Sequence, residues 1–303
     1  MNKKEFIKKA IDSSNAFYSH QTEAIAVNPN IWDFKLREYE EQNLVVTNLA
    51  EMYDFRNAGV DYTITVDDTP SAAAALTETV DITITAFSTR NVTYTPTEQG
   101  AAYQLTRKEA VRAFFNVAER MVKKLGYALA TRKDDLAISV ASAGAGNSVL
   151  VNSKSATTDL ASTDTLNYAS ITKSARLIED DLYTPKYLVV NPTGKQQILD
   201  LTTVHKANEF GTRDAIARGY VTDLFGLQVF VTQNIATASN VAEALVFGVS
   251  RTGEGALGYA IKRDPMIERE YHARGRFWDI VAHEEYDFQV LHPNGICTLS
   301  HYA

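Results

Sequence analysis

Histidine and carboxylate gather late in the chain: His272, His283, His292 and His301 are four of its six histidines, and Glu284-Glu285 follow His283. Imidazole with carboxylate is the donor set of a zinc site or of a general acid–base pair. A zinc site takes its ligands at helical or hairpin spacing, with an outer shell to orient them. These four are strung along strand-like stretches instead, so no metal is expected. Gly194-Lys195 lies between a strand-like and a helix-like stretch, where a phosphate-binding loop would place its Gly-Lys pair. Such a loop also needs a glycine five residues earlier and a serine or threonine after the lysine. Val189 and Gln196 hold those positions, so VVNPTGKQQ reads as a strand-to-helix turn with Pro192 set for the first helical turn. Cys297, the lone cysteine, has no base suggested beside it and reads as a buried thiol. No serine occupies a nucleophile elbow. The acid pairs Asp134-Asp135 and Asp180-Asp181 read as solvated helix faces. No catalytic, cofactor-binding or metal-ligating constellation emerges, and the chain reads as a non-enzyme.

Charge carries more information than any motif. Between 59 and 103 six acids face Arg90 alone, a net charge of −5; between 106 and 136 eight bases face four acids, a net charge of +4. Two solvated faces of unrelated sign would give the same counts, and an exposed ion pair is worth only about 0–1 kcal/mol. Contacts that weak suit assembly, because repetition around a closed ring or shell adds them up. Asp67, Asp68, Glu78 and Asp81 on one side, with Arg107, Arg112, Arg120, Lys123 and Lys124 on the other, are the candidate inter-subunit contacts.

The basic block lies on a helix spanning about 106–141. Val111, Phe114, Phe115, Ala118, Met121, Val122, Leu125 and Leu129 recur at three- and four-residue steps, one apolar stripe. Thr106 with Glu109 makes a capping box at its start. Some thirty residues give a rod of roughly 45 Å, long for a compact domain. The acidic block is a ribbon. DYTITV puts Tyr62, Ile64 and Val66 on one face and Thr63 and Thr65 on the other; VDITITAF repeats the alternation through Val80, Ile82, Ile84 and Ala86; NVTYT adds a small third strand through Val92 and Tyr94. A hairpin alone in water is marginal, and this one has few bulky side chains, so it is expected to rest on another copy of the molecule.

Residues 1–58 read as an arm: a short amphipathic helix through Phe6, Ile7, Ala10 and Ile11, then a stretch after Asn28-Pro29-Asn30 with no clean period. Past a Gly/Ser/Thr-rich loop after 141 comes an α/β region, with a helix through Ile171, Ala175, Leu177, Ile178 and Leu182, a strand at 186–190, a helix at 193–201 and further strands. The tail alternates through Ile267, Tyr271, Trp278, Ile280 and Ala282, then Phe288 and Val290, and is expected to form a sheet under the long helix. The whole is α+β. A net charge of −7 argues against coating nucleic acid through a basic face. One cysteine excludes an intrachain disulfide framework and suits a reducing compartment. No apolar run reaches the length of a membrane span or a signal peptide core.

Order and wording together resemble the major capsid protein of tailed phages and archaeal head-tailed viruses, the Hong-Kong-ninety-seven-type fold. ALATRKDDLAI at 128–138 is similar to the end of that family's spine helix. YLVVNPTGKQQILDL at 187–201 and GYVTDLFGLQVFVTQNI at 219–235 resemble its axial domain. GYAIKRDPMIEREYHARGRFWDIVAHEEYDFQVLHPNGI at 258–296 resembles the strands returning to its peripheral domain. The resemblance implies an N-arm at 1–58, an E-loop at 59–103, a peripheral domain at 104–150 with 263–303, and an axial domain at 151–262. It implies hexamers and pentamers of an icosahedral head, assembled in a host cytoplasm around double-stranded DNA held without sequence-specific contacts. Partners would be further copies, a portal, and a separate scaffolding or cement protein, with no membrane. Some relatives weld subunits through an E-loop lysine; 59–103 contains none. No long fused scaffolding segment is expected before the ribbon, so scaffolding would come from a separate protein or none, unless the chain is already trimmed. An encapsulin-type compartment shell shares the fold and stays open as an alternative, as does an α+β enzyme with a long insertion.

Overall fold

In a computed structural model the chain is described over residues 29–41, 44–56, 59, 61–67, 89–112, 117–201, 223–251 and 253–303. Its helices there are α1 (Pro29–Glu41), α2 (Arg107–Arg112), α3 (Val117–Ala143), α4 (Tyr168–Asp180) and α5 (Pro192–Leu199). Its strands are β1 (Glu51–Asp54), β2 (Tyr62–Asp67), β3 (Thr89–Tyr94), β4 (Thr97–Thr106), β5 (Asn147–Leu150), β6 (Thr184–Val190), β7 (Asp223–Leu224), β8 (Leu227–Val231), β9 (Thr237–Ala238), β10 (Val241–Val249), β11 (Leu257–His272), β12 (Phe277–Val290) and β13 (Ile296–Tyr302). Two compact units divide the chain, one from 1–44, 98–133 and 263–285, the other from 45–97, 134–262 and 286–303. The tail contributes 263–285 to the first unit and 286–303 to the second, as α3 contributes its residues up to 133 to the first and from 134 to the second.

The first unit packs α1, α2 and the first part of α3 against strands β4, β11 and β12. Ala118, Val122, Leu125 and Leu129 of the expected stripe are buried, with Leu36, Leu105, Ile267, Ile280 and Ala282. Full burial of one such leucine or isoleucine is worth about 1.5–3 kcal/mol. Two stripe or alternation residues turn outward instead: Val111 is 63% exposed and Tyr271 is 44% exposed. Phe114 and Phe115 lie outside the described residues. The capping box is present, for Glu109 N–H donates to Thr106 Oγ1 and Thr106 N–H donates to Glu109 Oε2, both at 3.2 Å. Thr106 Oγ1 also donates to Glu109 Oε2 at 2.8 Å, and this bond, with that from Thr106 N–H, holds the Glu109 carboxyl below its ordinary range. The stretch after Asn30, which shows no clean period in sequence, forms α1: Pro29 stands at its first position, and Leu36 and Glu40 turn inward at helical spacing.

The second unit is built on a sheet of order β5-β13-β10-β6-β8-β7, with β9 beside β10. β10 runs antiparallel to both β13 and β6, while β6 with β8 and β13 with β5 are parallel. Parallel neighbours need a crossover, and α5 lies between β6 and β8 in the chain. Both faces of the centre are covered. Val189, Leu245, Phe247 and Ile296 belong to one core; Leu188, Val190, Val246, Cys297 and Leu299 belong to the other. That is why EALVFGVS is apolar almost throughout. Asn167 caps α4 by accepting from Ser170 N–H at 2.8 Å, and Asn191 caps α5 by accepting from Gly194 N–H at 2.6 Å. The Gly-Lys stretch is thus a capped helix start. Leu182, expected on the α4 stripe, lies past its end with φ of 70° and is 48% exposed.

The ribbon's described base belongs to this second unit. β2 pairs antiparallel with β3, Tyr62 opposite Tyr94 and Asp67 opposite Thr89, so the strand expected as a third partner pairs directly with the first. The residues of the expected middle strand, 80–86, lie outside the described residues. Alternation holds for Val66, Val92 and Tyr94, which are buried with Phe55, Ala260 and Leu291, while Thr63, Thr65 and Thr93 face solvent; Tyr62, expected on the inner face, is 42% exposed. The base therefore has a core within its own subunit, and the part of the ribbon at 68–88 lies outside the described residues.

Candidate functional site

The nine candidate contact residues fall into four groups. Asp67 ends β2, exposed. Asp68, Glu78 and Asp81 lie outside the described residues. Arg107 opens α2, its N–H donating to the Arg276 carbonyl at 2.9 Å with its side chain exposed, and Arg112 ends that helix. Arg120, Lys123 and Lys124 are exposed on α3, on the side away from Val122, Leu125 and Leu129. Tyr127, 54% exposed, continues that outer stripe. Lys123 Nζ also stands 5.5 Å from the centre of the Tyr39 ring, a cation–π contact from α3 to α1.

Not every base counted in the helix belongs to that face. Arg132 Nε donates to Gln99 Oε1 at 3.2 Å. Lys133 is buried, its ammonium held between Glu40 of α1 and Glu284 of β12, the latter at 2.5 Å. The sequence does place all three inside, at the periodic positions: Glu40 is four residues past Leu36, Lys133 four past Leu129, Glu284 two past Ala282. Charge alone hides them. Burial, with Glu40 adding and Lys133 opposing, pushes the Glu284 carboxyl up to about 8.

Around this cluster α1 lies on α3 at close range. A Cβ on Gly126 would stand 3.0 Å from Tyr39 Cβ and 3.1 Å from the Leu36 carbonyl oxygen, so glycine permits the approach. Lys35 pairs with Glu119 at 2.7 Å, Arg37 with Asp264 at 3.3 Å, and Asp33 accepts from Ile267 N–H at 2.7 Å. In the second unit the ribbon's base is seated the same way. A Cβ on Gly258 would fall 2.0 Å from the Tyr94 phenol oxygen, so only glycine leaves that ring its place. Burial raises the Tyr94 phenol, and burial with the nearby Glu51 raises Tyr53 to about 12. Arg90 donates to the Leu291 carbonyl, and Asp287 accepts from Thr95 N–H at 2.9 Å.

Asp134 corrects its reading as a solvated acid. It is fully buried and accepts from Val45 N–H at 2.8 Å, Thr47 N–H at 3.0 Å and Thr47 Oγ1 at 2.8 Å. Asp181 accepts from Asn147 Nδ2 at 2.8 Å. The histidines stand apart from one another in structural settings. His272 pairs with Asp279 at 2.8 Å; His283 lies 4.0 Å from Glu98 and 3.9 Å from Glu268; His292 contacts the Tyr183 hydroxyl at 3.3 Å. His301 is fully buried, and burial lowers its imidazole below the ordinary value. Among the described residues no group of three or more His, Cys, Asp or Glu could hold a metal ion, and no helix there is long and apolar enough to cross a membrane. Cys297 is buried, its thiol pushed up to about 12 by burial. What the geometry presents is docked elements and charged outer faces.

Residues 88–298 match the phage capsid protein family. No curated protein sequence matches the chain. Among solved structures, one from Mycobacterium phage Che8 superposes with a TM-score of 0.66 at 15% identity, over 84% of this chain and 90% of that one. The capsid of cyanophage P-SCSP1u gives 0.67 at 16% identity, over 86% and 88%. A virus-like particle from Pyrococcus furiosus gives 0.60 at 11% identity, over 89% and 98%. Identities this low speak for the fold, and that fold is the α+β Hong-Kong-ninety-seven-type capsid fold. With the family match running over more than two thirds of its length, from just before β3 into β13, this chain belongs to the phage capsid protein family and is a structural component of the virion.

Proposed function

We propose that the chain is the major head subunit of a tailed virus, closing as hexamers and pentamers into an icosahedral shell around double-stranded DNA. The family match over 88–298 carries this reading. In it, 1–58 is the N-arm, 59–103 the E-loop, 104–150 with 263–303 the peripheral domain, and 151–262 the axial domain. Asp67, Asp68, Glu78 and Asp81 meet Arg107, Arg112, Arg120, Lys123 and Lys124 of an adjacent copy. The subunit performs no catalysis. Assembly takes place in the host cytoplasm with a portal and a separate scaffolding or cement protein. A net charge of −7 suits a wall that confines DNA rather than coats it.

Electron microscopy of the purified protein, alone and co-expressed with the neighbouring head genes, tests this. Closed shells or free capsomers are expected; a protein that stays monomeric in both preparations overturns it. The likeness to the Pyrococcus furiosus virus-like particle supports one further reading, a compartment shell that packages protein. The content of native particles separates the two: nucleic acid supports a head, and a co-purified enzyme supports a compartment.

A further inference from the structure

The first unit seals two carboxyls and one ammonium away from water. The side chains of Glu40, Lys133 and Glu284 are 4%, 3% and 0% exposed. Fully ionised, the three would leave an uncompensated negative charge where nothing solvates it, a state that buried groups escape by taking up a proton. Each comes from a different element, α1, α3 and β12. The charged groups facing Glu284 are Lys133 from α3 and Glu40 from α1. Its neighbours on β12, His283 and Glu285, alternate to the other face of the strand, where His283 meets Glu98 of β4 and Glu268 of β11. On α1, Lys35 and Arg37 are occupied by Glu119 and Asp264. On α3, Arg132 turns to Gln99 and Asp134 to Val45 and Thr47.

We propose that the Glu40–Lys133–Glu284 cluster is a proton-operated latch for α1: the helix docks with Glu284 as the neutral acid, and loss of that proton loosens it from the unit. α1 is the member that yields. β12 is an inner strand, between β11 and β4, and α3 carries the core stripe. Apart from the cluster, α1 is held by Leu36, the half-buried Trp32, the Asp33 bond from Ile267 N–H, the Tyr39 contact with Lys123 and ion pairs that are partly exposed.

The direction follows from linkage. Docked, Glu284 keeps its proton up to about pH 8; undocked and hydrated, it releases it near 4.5. Between these values the docked form holds one proton more. Docking therefore weakens as pH rises through that window, by up to roughly tenfold per pH unit, and levels off above it.

Hydrogen exchange of the full-length protein between pH 5.5 and 8, corrected for the intrinsic exchange rate, reads this at the amides of residues 29–41. Protection in the unaltered protein is expected to fall with pH, approaching tenfold per unit, while Glu284→Gln makes it level. Level protection in the unaltered protein, or an equal slope in the variant, overturns the latch. If Glu284→Gln does not fold, Glu40→Gln decides: it leaves one ammonium facing one carboxyl, and the slope is expected to vanish. A slope that survives there sinks the proposal. The readout concerns a single subunit, so it stands or falls apart from the shell.

Discussion

Asp134 joins α3 to residues 45–47 by three hydrogen bonds, two of them from the buried Thr47. Replacing it with alanine strands those donors, and the expected loss is about 3 kcal/mol, seen as a lower denaturant midpoint with an unchanged slope. Cys297 lies between both neighbours in the sheet with its thiol raised to about 12. It is expected to resist thiol reagents at pH 8 until the protein is unfolded, as followed by the absorbance of the released chromophore. Cys297 was readable as a buried thiol because the sequence suggests no base beside it. Asp134 was not, because an aspartate beside another on a helix carries no mark of which one turns inward. The Glu40–Lys133–Glu284 cluster lies between these cases. Each residue continues an apolar periodicity by one step, so position signals burial while side-chain type argues against it.

α1 and α3 meet at Gly126, and the contact makes a definite forecast. In an exposed helix Gly→Ala gains up to about 1 kcal/mol from propensity. Here the added methyl meets Tyr39 Cβ at 3.0 Å and the Leu36 carbonyl at 3.1 Å, and overpacking costs typically 1–3 kcal/mol. Gly126→Ala is expected to come out destabilising by about 1 kcal/mol, with faster proteolysis within α1 than elsewhere. The long helix, the capping box at the start of α2 and the alternating tail strands were legible because period and caps are local properties. α1 was harder to see: Trp32, Leu36 and Glu40 do stand four apart, but an acid fills the third place. The pairing of β2 with β3 was harder still. Alternation fixes which face of a strand is buried but says nothing of its partner when several strands follow in series.

For the assembled protein, the outer face of α3 presents Arg120, Lys123, Lys124 and Tyr127, while Lys133 is buried within the subunit. Contacts to such a face are screened as the Debye length falls from about 10 Å at 0.1 M to 3 Å at 1 M salt. Neutralising Asp67, Asp68 and Asp81 together is expected to lower shell yield at low salt while leaving the subunit's denaturation midpoint in place. Unchanged yield by light scattering would count against the pairing of ribbon with helix. The sheet of the second unit carries a different implication. β13 lies between β10 and β5, yet it is the final strand of that sheet to leave the ribosome. Until it arrives, β5 has no place to pair and the inner edge of β10 stays open. A nascent chain thus lacks a finished body when its ribbon emerges, and its sheet is completed only once translation has passed β13.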